Sequence, residues 1–252
     1  MKNVIIFQDF VEAKTYGHAW DTEELFNYFR AQIDNSIYWG WKPEDIIVCT
    51  NLDFEYRDAT IVRLDNICQY NRVSNKQYGI LELLEREIIT EEFWFHDFDD
   101  WQTGKIVFPE FDGDIGMGKY INGEQWNTGS IFVKPKSLDL WKTIVSFMIE
   151  NRNRQGVSDM GDENVVNFVY SRLTKEQQQR FSLLNNKYNI GCTGFEDRYE
   201  SAEKPICVAA FKADEEKEVR KFVDNNIVNK DLLDIFEKHN LRKEPELSWW
   251  EQ

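Results

Sequence analysis

Phe93-Trp94-Phe95-His96-Asp97-Phe98-Asp99-Asp100-Trp101 is an aromatic segment that runs into three carboxylates. Its apolar part is typical of a buried β-strand, in which side chains alternate between two faces. We therefore expect Asp97 and Asp99 to share one face and Phe98 to lie on the other. Neighbouring carboxylates repel each other unless a cation lies between them, and Mg²⁺ and Mn²⁺ prefer oxygen ligands. The segment predicts a metal site at a strand end that holds a nucleotide diphosphate.

Strand and helix patterns alternate over the first two-thirds of the chain, which is typical of an α/β fold. The predicted strands are 4–7, 45–50, 59–64, 93–98, 130–133 and 206–211. The predicted helices are 21–32, 76–86, 138–150, a run that ends near 170, and a charged helical tail from 214 to about 239. The glycine-rich and acidic stretch 111–118 is expected to be a loop.

The composition fits one large α/β domain with a helical C-terminal extension. No run of about eighteen apolar residues is present, so no membrane segment is expected. The four cysteines lack CxxC spacing, so neither a zinc site nor a disulfide framework is indicated, and we expect a reduced, cytoplasmic protein. The net charge of −15 repels nucleic acid at long range, although a local basic groove can still act at close range.

Several motifs, in this order, resemble glycosyltransferases of the GT-A fold, which transfer a sugar from a nucleotide-sugar donor. They are a helix with an early lysine (Lys76), the strand end Asp97-Phe98-Asp99, the strand entry Asn127-Thr128-Gly129, and the acid pair Asp162-Glu163 at a helix start. The resemblance spans about residues 1–212 and implies a GT-A-like single domain with a mixed, mostly parallel sheet flanked by helices. Residues 213–252 are then a helical C-terminal extension packed on it.

The resemblance also implies a UDP-sugar donor and a divalent cation, Mn²⁺ or Mg²⁺. Asp97 and Asp99 would hold the metal and the nucleotide, and Lys76, Asn127 and Gly129 would line the donor site. Two alternatives stay open, because Lys76 fits a solvated helix surface equally well and Gly129 fits a tight turn.

Four further residues are assigned to the same site. Asp162 and Glu163 are the candidate catalytic acids, either as the base that deprotonates the acceptor or as a contact to the donor sugar. Acids at a helix start are also favoured without any catalytic role. Trp101 and Trp126 are expected to stack on the donor because they lie near the carboxylates in sequence.

The sequence departs from the family in one respect. Many metal-dependent relatives supply a further metal ligand from a C-terminal histidine, and this chain has alanine and phenylalanine at the matching place. Asp214 is the expected substitute ligand, and Lys212 would reach the diphosphate as a point charge. We expect Asp100 to be a capping or loop residue, and His96 to be a buried structural histidine.

A narrower resemblance concerns the acceptor. The segments 53–56, 94–102 and 125–132 are similar to the DNA hydroxymethyl-pyrimidine glycosyltransferases, which include the base-J glucosyltransferase group and its phage relatives. This similarity implies that the acceptor is the hydroxyl of a hydroxymethylated base in DNA. The alternatives are a glycan, lipopolysaccharide or protein acceptor and, outside the enzymes, an acidic interaction protein without a metal.

Overall fold

The computed structural model describes residues 1–7, 22–64, 74–120, 123, 125–151 and 162–241. Their strands are β1 (Lys2–Ile6), β2 (Ile46–Thr50), β3 (Thr60–Arg63), β4 (Phe93–His96), β5 (Asp100–Gln102), β6 (Ile115–Lys119), β7 (Trp126–Val133), β8 (Phe181–Leu183), β9 (Ile190–Gly191) and β10 (Val208–Ala210). Their α-helices are α1 (Thr22–Tyr38), α2 (Asn75–Glu85), α3 (Leu138–Asn151), α4 (Asp162–Tyr170), α5 (Lys175–Gln178), α6 (Phe195–Ser201), α7 (Glu216–Asp224) and α8 (Lys230–Lys238). Each predicted strand and helix has a counterpart here, although several ends differ.

A mixed sheet of seven strands forms the centre of the fold, in the order β3-β2-β1-β4-β7-β6-β8. Strands β3, β2, β1 and β4 run parallel to one another, and β8 runs parallel to β6. Strand β7 is antiparallel to both of its neighbours, β4 and β6. Four of the six pairings are therefore parallel, which confirms the predicted mixed, mostly parallel sheet.

Helices cover both faces of this sheet, so the central strands are apolar on both sides. Val4 and Ile6 of β1 pack into a core cluster that also contains side chains of α2, α3 and α4. Ile5 and Phe7 point to the opposite face and pack against α1. This alternation within one strand explains why the sequence shows continuous apolar runs here.

A second, three-stranded sheet in the order β5-β10-β9 lies beside the first. Its core is shared with α1, α7 and α8 and contains Trp101, Phe222 and Phe236, all fully buried. The chain passes from β4 of the large sheet to β5 of the small sheet within three residues, Asp97 to Asp99. The acidic motif therefore lies at the junction of the two sheets.

The structure corrects two predicted elements. Strand β4 ends at His96, and Asp97–Asp99 form a turn closed by the Asp100 N–H, which donates to the Asp97 carbonyl oxygen (3.1 Å). Simple alternation along a strand therefore does not place the two acids. The predicted loop 111–118 also contains much of strand β6. Within this strand, a Cβ atom at Gly116 would lie only 3.0 Å from the side chains of Leu184 and Phe111, so glycine leaves room for both.

The helical C-terminal tail is present as two amphipathic helices, α7 and α8, as far as residue 241. Both pack through apolar stripes onto the core of the small sheet, and residues 242–252 of the predicted extension lie outside the described chain. Within the described ranges, no helix is both long and apolar enough to cross a membrane.

Candidate functional site

The acid triad consists of Asp97, Asp99 and Asp100, whose ligand oxygens lie within 4.8 Å of one another. Asp100 is the buried member, at 2% exposure, and its Oδ1 has no hydrogen-bond partner. Its other carboxylate oxygen lies against Gly129, where an added Cβ would also lie only 3.2 Å from the Asp100 Cγ. The prediction that Asp100 is a loop or capping residue is therefore wrong.

Gly129 lies inside strand β7 rather than in a turn, and its φ is not positive. The tight-turn interpretation is therefore wrong. Glycine is required because the Asp100 carboxyl group occupies the space of a side chain. This close approach packs the small sheet against the large one at the acid triad.

The electrostatics of the triad fit a divalent cation. Burial raises the pKa of Asp100 well above its usual value, and the charges of Asp99 and Asp97 raise it further, against the opposing effects of Lys76 and Arg198. An oxygen-only donor set with one orphaned buried oxygen matches the ligand preference of Mg²⁺ and Mn²⁺. Asp97, Asp99 and Asp100 are therefore the residues that would hold such an ion.

Lys76 enters the site from the first turn of α2 and is only 6% exposed. Its Nζ lies 2.6 Å from Oδ2 of Asp97 and donates to the carbonyl oxygen of Thr128 (3.2 Å). The alternative of a solvated surface lysine is therefore excluded. Lys76 supplies a positive charge beside the triad, and its role in the donor site stays a prediction.

Asn127 and Gly129 both line a cleft of about 260 Å³ that opens in front of the triad. The Oδ1 of Asn127 accepts hydrogen bonds from the Gly129 N–H (2.9 Å) and from Nδ2 of Asn189 (2.6 Å). These bonds fix the start of strand β7 along the cleft wall. The structure thus brings the Asn-x-Gly motif and the acidic motif together.

Glu163 also lines the cleft, from the first turn of α4. Both of its carboxylate oxygens lie 2.6 Å from the hydroxyl of Tyr120, and the N–H of Thr128 lies 3.4 Å from Oε1. Helix α4 begins at Asp162, whose side chain lies outside the described part of the structure. Of the predicted acid pair, Glu163 is the member for which the structure provides a position at the cleft.

Both predicted stacking tryptophans belong to the core, and the structure corrects these two predictions. Trp101 is fully buried, donates from Nε1 to the Phe211 carbonyl oxygen (3.0 Å) and packs edge-to-face on Phe236. Trp126 is 3% exposed and packs on Tyr170. Neither ring offers a free face to a donor.

Lys212 and Asp214, the two site residues predicted after β10, differ in whether they line the cleft. Lys212 is exposed and lines the cleft, and its contact with the diphosphate stays a prediction. Asp214 is exposed, and its carboxylate accepts a hydrogen bond from Tyr28 (3.4 Å). In the described chain the third acid of the triad is Asp100, so the structure does not place Asp214 as the substitute metal ligand.

His96 is the buried structural histidine that the sequence predicts. Its Nδ1 donates to the carbonyl oxygens of Asp97 (2.9 Å) and Asp100 (3.1 Å), and its ring stacks on Trp94. Burial lowers the pKa of His96 to about 4, so the ring is neutral at neutral pH. The ring thereby braces the turn that presents the triad.

Sequence reasoning missed Arg198, which lines the cleft, and the buried Asn189, which contacts Arg198 and Asn127 behind it. Arg198 belongs to the short, charged helix α6, a composition that is typical of the surface. The packing of α6 against β9 and the residues just before it buries Arg198, and no local pattern in the sequence signals that packing.

We compared the chain with known protein families, curated proteins and solved structures. No family model and no curated protein matches the chain. Among solved structures, the galactosyltransferase LgtC in complex with donor and acceptor sugar analogs superposes with a TM-score of 0.56 at 11% identity, over 98% of both chains. The glycosyltransferase GlyE of Streptococcus pneumoniae TIGR4 gives 0.52 at 11% identity, over 98% of this chain and 66% of that one.

A third match is a glycosyltransferase involved in the glycosylation of the major capsid of PBCV-1, with a TM-score of 0.50 and 14% identity. It covers 83% of this chain and 93% of that chain. At these identities the likeness concerns the fold. The chain therefore has the GT-A fold of these enzymes, which confirms the predicted fold class.

Proposed function

We propose that this chain is a glycosyltransferase that moves a sugar from a UDP-sugar to an acceptor hydroxyl with the help of Mn²⁺ or Mg²⁺. The observation that carries the proposal is the acid triad. It lies at the junction of the two sheets of a GT-A fold, beside Lys76, and faces a cleft with Asn127 and Glu163 on its walls. An interaction protein has no need for three converging carboxylates of which one is buried.

In the proposed reaction, the bond between the anomeric carbon and the diphosphate oxygen breaks, and its electron pair stays on the departing diphosphate. The triad would hold a divalent cation, which would supply positive charge to stabilise that leaving group. The acceptor oxygen forms the new bond to the anomeric carbon and gives its proton to Glu163. The Tyr120 hydroxyl holds the Glu163 carboxylate at the cleft for this step.

The acceptor is a finer proposal. A hydroxymethylated pyrimidine in DNA is favoured by the sequence similarity of segments 53–56, 94–102 and 125–132. A sugar hydroxyl is the second candidate, and the charge of the protein favours it. The cleft carries the acid triad together with Glu163 and Glu218 in a chain of net charge −15, and such a field repels a polyanion.

The test is UDP release from a panel of UDP-sugars in Mn²⁺ buffer with three acceptors. These are a duplex that contains hydroxymethylated pyrimidines, the unmodified duplex of the same sequence, and an oligosaccharide mixture. We expect one acceptor to stimulate release. We also expect Glu163→Gln to lower kcat by about 10²–10⁴-fold, which is the usual contribution of general base catalysis.

The matched control is Glu237→Gln, which makes the same change at an exposed position on α8 and should keep the wild-type rate. If only the oligosaccharide mixture stimulated UDP release, the DNA acceptor would be excluded and the glycosyltransferase activity would be supported. An absence of acceptor-dependent release with every donor, or a wild-type rate in Glu163→Gln, would contradict the proposed chemistry.

A further inference from the structure

Arg198 is a buried arginine in the wall of the cleft, and the described residues provide it with no ion-pair partner. It is 3% exposed, and its guanidinium donates from Nη2 to the backbone oxygen of Asn189. Its Nε is buried without a hydrogen-bond partner, and no carboxylate of the described chain forms an ion pair with it. A fully buried guanidinium normally has all of its donors satisfied and a carboxylate opposite it.

The acids near Arg198 influence it only from a distance. Burial lowers its pKa, and the charges of Asp100, Tyr120 and Glu163 oppose this effect without touching the guanidinium. Arginine keeps its proton under such conditions, so the charge stays in the wall. The buried Lys76 contrasts with Arg198, because its Nζ lies 2.6 Å from Oδ2 of Asp97.

A chain of buried polar contacts holds Arg198 in place. Arg198 donates to Asn189, whose Nδ2 donates to Asn127, which in turn accepts from the Gly129 N–H. The guanidinium is therefore fixed relative to the strand that packs against Asp100. The planar guanidinium is held in one position and its Nε donor has no partner, so it can donate to the oxygens of a phosphate or carboxylate.

We propose that Arg198 binds an oxyanion of the donor substrate. The inference rests on the proposed function in taking that donor to be a nucleotide sugar. The oxyanion comes from one of two sources on that molecule, the diphosphate or the carboxylate of an acidic sugar. The diphosphate is the favoured source because Arg198 lines the same cleft as the acid triad, which would hold the cation that binds a diphosphate.

The test compares wild type, Arg198→Gln and Arg198→Lys by calorimetric titration with inorganic pyrophosphate, UDP, UMP, UDP-glucose and UDP-glucuronate in Mn²⁺ buffer. The matched control is Arg220→Gln on α7, which is 60% exposed. If the oxyanion is the diphosphate, Arg198→Gln weakens pyrophosphate and UDP about 10- to 100-fold, as expected for a lost charge-assisted hydrogen-bond pair. UMP is then unaffected, and Arg198→Lys lies between Arg198→Gln and wild type.

If the oxyanion is a sugar carboxylate, UDP and UDP-glucose bind Arg198→Gln as they bind wild type, and only UDP-glucuronate is weakened. The thermal midpoint of ligand-free Arg198→Gln should equal or exceed that of wild type, because a buried charge without a partner is removed. Should Arg198→Gln fail to fold, Arg198→Lys carries the comparison.

Wild-type affinity of Arg198→Gln for every probe would overturn the inference, as would a wild type that binds neither pyrophosphate nor any of the nucleotides. One further outcome would distinguish the oxyanion site at Arg198 from the proposed transferase function. If pyrophosphate binding depends on Arg198 and no uridine nucleotide binds, the oxyanion site stands and the UDP-sugar transferase falls.

Discussion

Gly129 of the large sheet and Asp100 of the small sheet pack directly against each other. The carboxyl group of Asp100 occupies the place where any other residue at position 129 would carry its Cβ. Both residues are buried in strands, so neither can move aside without shifting β7 against β5. The identity of one glycine therefore controls the position of one acid of the triad.

Gly129→Ala is expected to displace Asp100 and to lower the free energy of unfolding by about 1–3 kcal/mol, the usual cost of overpacking a core. Because Asp100 belongs to the triad, the affinity for Mn²⁺ should fall as well. Chemical denaturation and Mn²⁺ titration of the same preparation measure both effects.

The matched control for this change is Gly118→Ala in strand β6, where an added Cβ meets its nearest atom, the Cβ of Asn189, at an ordinary 3.8 Å. It should change neither quantity appreciably. If Gly129→Ala kept wild-type stability and Mn²⁺ affinity, the close approach would not be what selects glycine here.

At the scale of elements, the C-terminal helix α8 is joined to α1 by one buried carboxylate. Asp34 is 8% exposed and accepts hydrogen bonds from His239 (2.8 Å), from Tyr56 (3.0 Å) and from Lys238. Burial alone would raise the pKa of Asp34, but these hydrogen bonds outweigh it and hold the pKa below its usual range. The ionised carboxylate therefore stabilises the attachment of α8.

This depressed pKa gives stability a defined dependence on pH. The unfolded state takes up the proton first as pH falls, since its Asp has a pKa of about 3.9. The contribution is fully present above that pH and is lost as pH falls through the lower folded-state pKa. We expect Asp34→Asn to destabilise the protein by roughly 3 kcal/mol at neutral pH, which is the usual effect of breaking a buried ion pair.

Denaturation of Asp34→Asn and wild type from neutral pH down to about pH 3 checks this prediction, because the difference between the two should shrink below about pH 4. Asp112→Asn, at an exposed loop position, is the control and should track wild type throughout. A difference that stays constant with pH would show that the charge of Asp34 is not what holds α8.

At the scale of the whole molecule, the site is built from distant segments that meet at the junction of the two sheets. Lys76, Asp97, Asn127 and Glu163 each belong to a short local motif, so the sequence alone identifies them. Their convergence depends on the antiparallel insertion of β7 between β4 and β6, which the strand pattern does not reveal.

Several of the residues that sequence reasoning misjudged depend on the small sheet. Its strands have only two or three residues, too few to produce a periodic signal. Asp100 and Trp101 lie next to each other in β5 and point to opposite faces, so the acid reaches the triad while the tryptophan enters the core. Proximity along the chain instead predicted that Trp101 contacts the donor and that Asp100 has a capping or loop role. No local sequence pattern indicated the burial of Arg198 by β9.

We propose that the acid triad forms a metal-dependent UDP-sugar site. The most direct test is calorimetric titration of UDP into the wild type with and without Mn²⁺, repeated on Asp99→Asn with Asp112→Asn as the matched control. Our account predicts saturable binding that Mn²⁺ strengthens, that Asp99→Asn loses and that Asp112→Asn retains. An absence of UDP binding with and without Mn²⁺, or unchanged binding in Asp99→Asn, would contradict it.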